Sequence, residues 1–211
     1  MLKLVIFDLD GTLVDAYTAI HKSLNFTLKK LGYGRASFLS ARRAVGWGDR
    51  RLVAKFVKDA DLDKALRVYR EHHKESLLKY SKVLPEARKV LEGIKKRRIK
   101  IAIASNRPLK FTNILLRHLA LKKYFDVVLC AKNKDEFKPN PHLLLKIIHR
   151  LKAKKEEALY VGDMAVDVYA GKNAGIKTIA VLGGSSPVKE LRLAQPHKFI
   201  AKISDLPEVL R

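Results

Sequence analysis

The chain has 211 residues, 47% apolar and 31% charged, with 11 Gly, 7 Pro and a single Cys. That allows one substantial packed core and excludes disordered, collagenous and disulfide-stapled classes; the lone Cys130 fits a reducing compartment. Forty-four Lys and Arg against 21 Asp and Glu give a net charge of +23, a field that attracts nucleic acid, anionic lipid or small phosphorylated metabolites.

The basic excess lies in short clusters such as Lys95-Lys96-Arg97-Arg98, none of them a basic tail, and solvated helix faces account for most of it. No apolar run approaches the roughly 18 residues that cross a bilayer. The apolar start Leu2 to Phe7 is too short for a leader and ends at Asp8 and Asp10. The expectation is a soluble cytoplasmic protein, monomer or homodimer.

Six apolar runs read as strands: Leu2 to Phe7, Ile99 to Ala104, Phe125 to Ala131, Ala158 to Val161, Thr178 to Leu182 and Phe199 to Ile203. The first, second and fourth are near-continuous, as in strands buried on both faces of a parallel sheet. Helical patterns separate the later strands. Pro85 to Lys96 carries Ala87, Val90, Leu91 and Ile94 on one face; Leu109 to Leu121 and Pro141 to Leu151 repeat every three to four residues; Asp163 to Ala174 stops at Gly175. The alternation predicts a doubly wound parallel α/β core.

Between the first two strands, residues 15–82 show no strand pattern. Ile20, Leu24, Leu28 and Leu31 form one helical stripe, ended by Gly32; Asp49 starts a helix carrying Leu52, Val53, Phe56 and Val57; Leu62, Leu66, Tyr69, His73, Leu77 and Tyr80 form another stripe. The organisation predicted is a core of residues 1–14 and 83–211 with a small helical domain, 15–82, inserted over the sheet edge.

The first strand runs into Asp8-Leu9-Asp10-Gly11-Thr12. Two acids two residues apart at a strand end repel each other and need a proton or cation to coexist, and a divalent metal supplies that charge. Gly11 allows a sharp turn whose N–H groups can hold an anion. This run resembles the first motif of the haloacid dehalogenase superfamily, Asp-x-Asp-Gly-Thr. The family's other motifs follow in order: the strand ending in Ser105-Asn106, Lys138-Pro139-Asn140-Pro141, and Gly162-Asp163 with Asp167 four residues on. Taken singly, Ser105 or Asp163 could cap a helix and Lys138 could be a solvated turn residue; four motifs in order make the resemblance specific over the whole chain.

The resemblance implies a phosphatase. Asp8 would be the nucleophile and form an aspartyl-phosphate; Asp10 would protonate the leaving oxygen and then activate water. Mg²⁺ would be held by Asp8, the carbonyl of Asp10 and Asp163, with Asp167 steadying its waters. Ser105, Asn106 and Lys138 would hold the transferring phosphoryl group, with Gly11 and Thr12 in the anion-binding turn. Asp10 argues against dehalogenation, since a halide leaves without a proton. The insertion is similar to the family's helical cap, and Gly46-Trp47-Gly48-Asp49-Arg50-Arg51 resembles the cap loop of phosphoglycolate phosphatases. There Gly46 would allow close approach and Arg50 or Arg51 would take a substrate carboxylate, while the bulky Trp47 departs from the pattern. The substrate implied is a small phosphorylated metabolite. Two alternatives stand beside it: a phosphosugar mutase of the same superfamily, and a nucleic-acid-associated protein using the basic surface. His72, His73 and Cys130 read as packing residues.

Overall fold

The computed structural model describes residues 1–210. In chain order the elements are β1 (Leu4–Phe7), β2 (Val14–Asp15), α1 (Tyr17–Lys30), α2 (Phe38–Arg43), α3 (Asp49–Ala54), α4 (Leu62–Tyr80) and β3 (Lys82–Val83). They continue with α5 (Ala87–Lys96), β4 (Lys100–Ser105), α6 (Leu109–His118), β5 (Val127–Cys130), α7 (His142–Arg150) and β6 (Ala158–Gly162). The last are α8 (Ala165–Ala174), β7 (Lys177–Val181), α9 (Val188–Ala194), β8 (Lys198–Ile200) and α10 (Leu206–Val209).

All six strands expected from the sequence form one parallel sheet in the order β5-β4-β1-β6-β7-β8. The near-continuous apolar runs divide by period two between its faces. Val5, Phe7, Ile101, Ile103, Leu159 and Val161 pack beneath α5 and α6, whereas Leu4, Ile6, Ala102, Ala104 and Tyr160 pack beneath α7 and α8. Successive strands run outward from β1 in both directions. The carboxyl ends of β1, β4 and β6 therefore meet at the point where the strand order reverses, the crevice in which open α/β sheets bind ligands.

The helical insertion has its own apolar cluster: Ile20, Leu24 and Leu28 from α1, Leu52 and Val53 from α3, and Ala65, Leu66 and Tyr69 from α4. The stripes read from the sequence are these faces. Leu77, further along α4, packs instead with the main sheet cluster, so α4 ties the insertion to the core.

Three local readings change. A ribbon absent from the sequence reading pairs Val14 with Val83 and Asp15 with Lys82, closing the ends of the insertion; at two residues per strand it is too short to show a period. Helix α5 starts at Ala87 rather than Pro85, because Glu86 takes a left-handed conformation with φ 61°. Helix α8 starts at Ala165 after an extended Met164, so Asp163 lies before the helix and does not cap it.

Leu24 is fully buried in the insertion cluster. Leu24→Ala is expected to cost about 2–5 kcal/mol of stability, measured as a lowered urea midpoint.

Candidate active site

Asp8 follows β1 directly, its N–H bonded to Val161 O at 2.9 Å on β6. The chain then turns through Gly11, whose φ of +82° and surroundings suit no larger residue: a Cβ there would overlap the Tyr17 hydroxyl and the Asp163 carboxylate. Ser105 and Asn106 stand at the end of β4, Asp163 at the end of β6, and Lys138 enters from the loop after β5. Asp8, Asp10, Ser105, Asn106 and Lys138 come together along one cleft between sheet and insertion.

Lys138 is buried and reaches Asp8 Oδ1 at 2.6 Å, Asp167 Oδ1 at 2.7 Å, the Tyr160 hydroxyl at 3.0 Å and Ala104 O at 3.3 Å. Burial works against its charge, but the Asp167 and Asp8 carboxylates outweigh it and hold the ammonium well above the ordinary lysine range. Asp8, Asp163 and Asp167 have carboxylate oxygens within 4.8 Å of one another. Lys138 is the one cation bonded to this group among the described residues, so two negative charges lack a partner. Burial first, then Lys138 pulling down and Asp167 and Asp163 pushing up, leaves the Asp8 carboxyl well above its ordinary range. Burial and Asp167 raise Asp163 from 3.8 to about 7.

A hard divalent cation fits this donor set in charge and in ligand type. Asp163 faces it from a fixed position: Oδ1 accepts from Thr12 Oγ1 at 3.3 Å, and Oδ2 accepts from the Tyr17 hydroxyl at 3.1 Å and the Ser185 N–H at 2.7 Å. Asp167 is otherwise committed. Its Oδ1 accepts from Lys138 and from Tyr160 at 2.9 Å, its Oδ2 from Met164 N–H at 3.0 Å. It holds Lys138 in place, whereas Asp8 Oδ2 has no hydrogen-bond partner among the described residues and the three bonds to Asp163 all come from neutral groups.

The Asp10 carboxylate turns away from this group. It accepts two hydrogen bonds from Arg107, at 2.8 Å from Nε and 2.7 Å from Nη2, in a buried fork. Its side chain is therefore no part of the acid cluster, and only its backbone carbonyl remains for a metal. Arg107 Nη1 also meets His73 Nε2 at 3.1 Å. A guanidinium only donates, so His73 accepts there and carries its proton on Nδ1, facing Ser23 Oγ at 3.1 Å. Burial, then Arg107 and His72, keep His73 neutral, well below the usual histidine range.

Other expected residues take different places. Thr12 is fully buried and braces Asp163 rather than lining the cleft. The Asn106 amide is used within the protein: Oδ1 accepts from Lys138 N–H at 2.9 Å and Nδ2 donates to Gly46 O at 2.8 Å, leaving its backbone N–H for a phosphoryl oxygen. Gly46 lines the cleft; Arg50 does not, since its side chain is exposed and paired with Asp63. Trp47 lies outside the cleft, covered by Arg51, and does not narrow it.

Sequence reasoning passed over Arg107, His73, Tyr17 and Ser185. Arg107 directly follows the Ser105-Asn106 motif, and Gly183-Gly184-Ser185-Ser186 follows a strand. Those were the available signals.

A family model described as haloacid dehalogenase-like hydrolase matches residues 5–181. The chain belongs to this family. This hydrolase is 34% identical over 203 residues to the phosphoglycolate phosphatase of Aquifex aeolicus, covering 94% of this chain and 95% of that one. A structure from Haemophilus somnus, described as a predicted phosphoglycolate phosphatase, superposes with a TM-score of 0.92 at 23% identity, covering 100% and 98% of the two chains. One from Thermotoga maritima, described as a β-phosphoglucomutase, does so at 0.79 and 29% identity, covering 99% and 98%. Site and relatives together make this hydrolase a phosphatase, with its acid cluster suited to a divalent metal. Among the described residues no helix is long and apolar enough to cross a membrane.

The raised Asp163 carboxyl has a stability consequence. Between about pH 4 and 7 the folded, metal-free protein keeps a proton that the unfolded chain releases, so its stability falls as pH rises through that window and stays low above it. A bound cation replaces that proton. The gain in Tm on adding Mg²⁺ or Mn²⁺ is expected to be larger at pH 8 than at pH 6 and to shrink in Asp163→Asn. Equal gains at both pH values in differential scanning fluorimetry would contradict this assignment.

Proposed function

We propose that this hydrolase is a Mg²⁺-dependent phosphatase that cleaves a small phosphorylated metabolite, phosphoglycolate-like, through an aspartyl-phosphate on Asp8. One observation carries the reading: buried Asp8, at the strand-order reversal, is gripped by Lys138 and sits in an acid group two charges short of neutrality.

Phosphoryl transfer is mostly positioning and charge neutralisation. Lys138 fixes Asp8 through Oδ1 and brings a positive charge to the phosphoryl oxygens. Ser105 Oγ accepts from the Arg107 N–H at 3.2 Å, which leaves its hydroxyl proton to donate to a phosphoryl oxygen. The Asn106 N–H adds a second donor. Asp8 attacks phosphorus and the P–O ester bond breaks; Asp10, once it has taken up a proton from solvent, gives it to the departing oxygen, then takes one from the water that hydrolyses the acyl phosphate. A divalent cation held by Asp8, Asp163 and the Asp10 carbonyl would offset the repulsion between carboxylate and phosphate dianion. The insertion, residues 15–82, acts as a cap that supplies Tyr69 and His73 to the cleft and excludes water.

The likeness to the Thermotoga structure favours one second reading, transfer of the phosphoryl group within a phosphosugar. Isomerisation of a hexose phosphate that depends on added sugar bisphosphate, without net phosphate release, would establish it.

Asp8→Asn and Asp10→Asn are each expected to lower kcat on phosphoglycolate by at least about 10³-fold with unchanged circular dichroism. Chelation should stop turnover, and acid quench should trap an acyl phosphate on the wild type. A fully active Asp8→Asn variant would rule out the covalent step.

A further inference from the structure

The cleft carries two cations and the proposed chemistry uses one. Lys138 is occupied at the nucleophile. Arg107, 8% exposed, lines the same cleft on the Asp10 side, where a leaving group must lie if Asp10 is to protonate it. Three of its five N–H groups have partners: Nε and one of Nη2 on Asp10, one of Nη1 on His73. The other two have none among the described residues. The insertion offers no rival. Arg50 pairs with Asp63, Arg51 lies on Trp47, and Asp49, which lines the cleft, is held by Arg70 at 2.7 and 3.0 Å.

The fork has a second consequence. Both Asp10 oxygens accept from Arg107, which ties the carboxylate to the guanidinium while the pair is closed. A carboxylate or phosphate on the leaving group matches the same guanidinium geometry that Asp10 now fills. We propose that Arg107 is the specificity-determining residue, exchanging Asp10 for an anionic group on the leaving side of the substrate, and that this exchange frees Asp10 for its catalytic role. The inference rests on the phosphatase reading above and assigns to Arg107 the part that the sequence suggested for Arg50 or Arg51. His73, neutral and fixed on α4, keeps hold of Nη1 and so anchors the guanidinium while its fork changes partner.

The substrate class that follows is a phosphate ester or anhydride whose leaving group bears its own negative charge close to the scissile bond. Phosphoglycolate and pyrophosphate qualify; a neutral alcohol does not. The test compares phosphoglycolate with 2-hydroxyethyl phosphate, its uncharged analogue, in wild type, Arg107→Gln, Arg107→Lys and Arg50→Ala.

Wild type is expected to prefer phosphoglycolate by roughly 10- to 100-fold in kcat/KM, with part of the difference in kcat because the neutral ester leaves Asp10 paired. In Arg107→Gln the value for phosphoglycolate falls by about that factor more than the value for the neutral ester, so the preference collapses. Arg107→Lys retains an intermediate preference. Arg50→Ala keeps the wild-type ratio.

Equal losses on both substrates in folded Arg107→Gln would mark Arg107 as merely structural and overturn the proposal. So would a collapsed preference in Arg50→Ala. If the Arg107 variants do not fold, the wild-type comparison decides: equal kcat/KM for the two esters overturns it, and a preference residing partly in kcat sustains it. Hydrolysis of neither ester, nor of any other phosphomonoester, would instead be the failure of the phosphatase reading itself.

Discussion

Three carboxylates crowded against one ammonium are the constraint around which the rest of the site is built. Buried like charges of this kind are tolerated only where each remaining oxygen is fixed and a cation can enter. The residues around Asp163 show the cost in sequence freedom. Thr12, Tyr17 and the Ser185 N–H surround it so closely that a Cβ on Gly11 or Gly184 would overlap its carboxylate. A Cβ on Gly162 would likewise overlap Asp167. These glycines are set by the acid group as much as by the turns they occupy.

The two acids of the first motif reach different roles through different partners. Asp8 shares Lys138 with Asp167 and belongs to the group short of positive charge. Asp10, two residues on, has a guanidinium to itself. One fold thereby gives adjacent carboxylates separate electrostatic environments, as the proposed nucleophile and proton carrier require. The environment of Asp10 is also shared with the insertion, because Arg107 is held by His73 on α4. The position of that helix is therefore linked to the geometry of an acid on the sheet.

The sheet was legible in the sequence because its inner strands are buried on both faces and stand as unbroken apolar runs between periodic helices. The insertion stripes through Ile20, Leu24, Leu28 and through Leu66, Tyr69 were legible for the same reason of period. The motif residues could be read because each sits at a strand end in a local pattern. What could not be read is long-range pairing. Arg107 reaches Asp10 across 97 positions and His73 across 34, and Tyr17 reaches Asp163 across 146; no local pattern encodes those contacts. Residue type alone also misled. Arg50 has the right chemistry for an anion, but α3 turns it towards Asp63, while the arginine that enters the cleft lies on the core.

Charge acts in opposite senses at two length scales. The net charge of +23 gathers anions from solution, a non-specific effect that weakens with salt. Inside the cleft the balance reverses: Asp8, Asp10, Asp163 and Asp167 outnumber Lys138 and Arg107. A phosphate drawn to the protein by its surface therefore meets a negative site, and its approach to Asp8 depends on neutralising the acid group rather than on adding surface lysines. Arg107, whose charge is already balanced by Asp10, offers an incoming anion its full two-point fork only when that pair opens. On the proposed exchange, selectivity is set in a buried pair, where geometry is strict, and not by the broad field outside, which treats every anion alike.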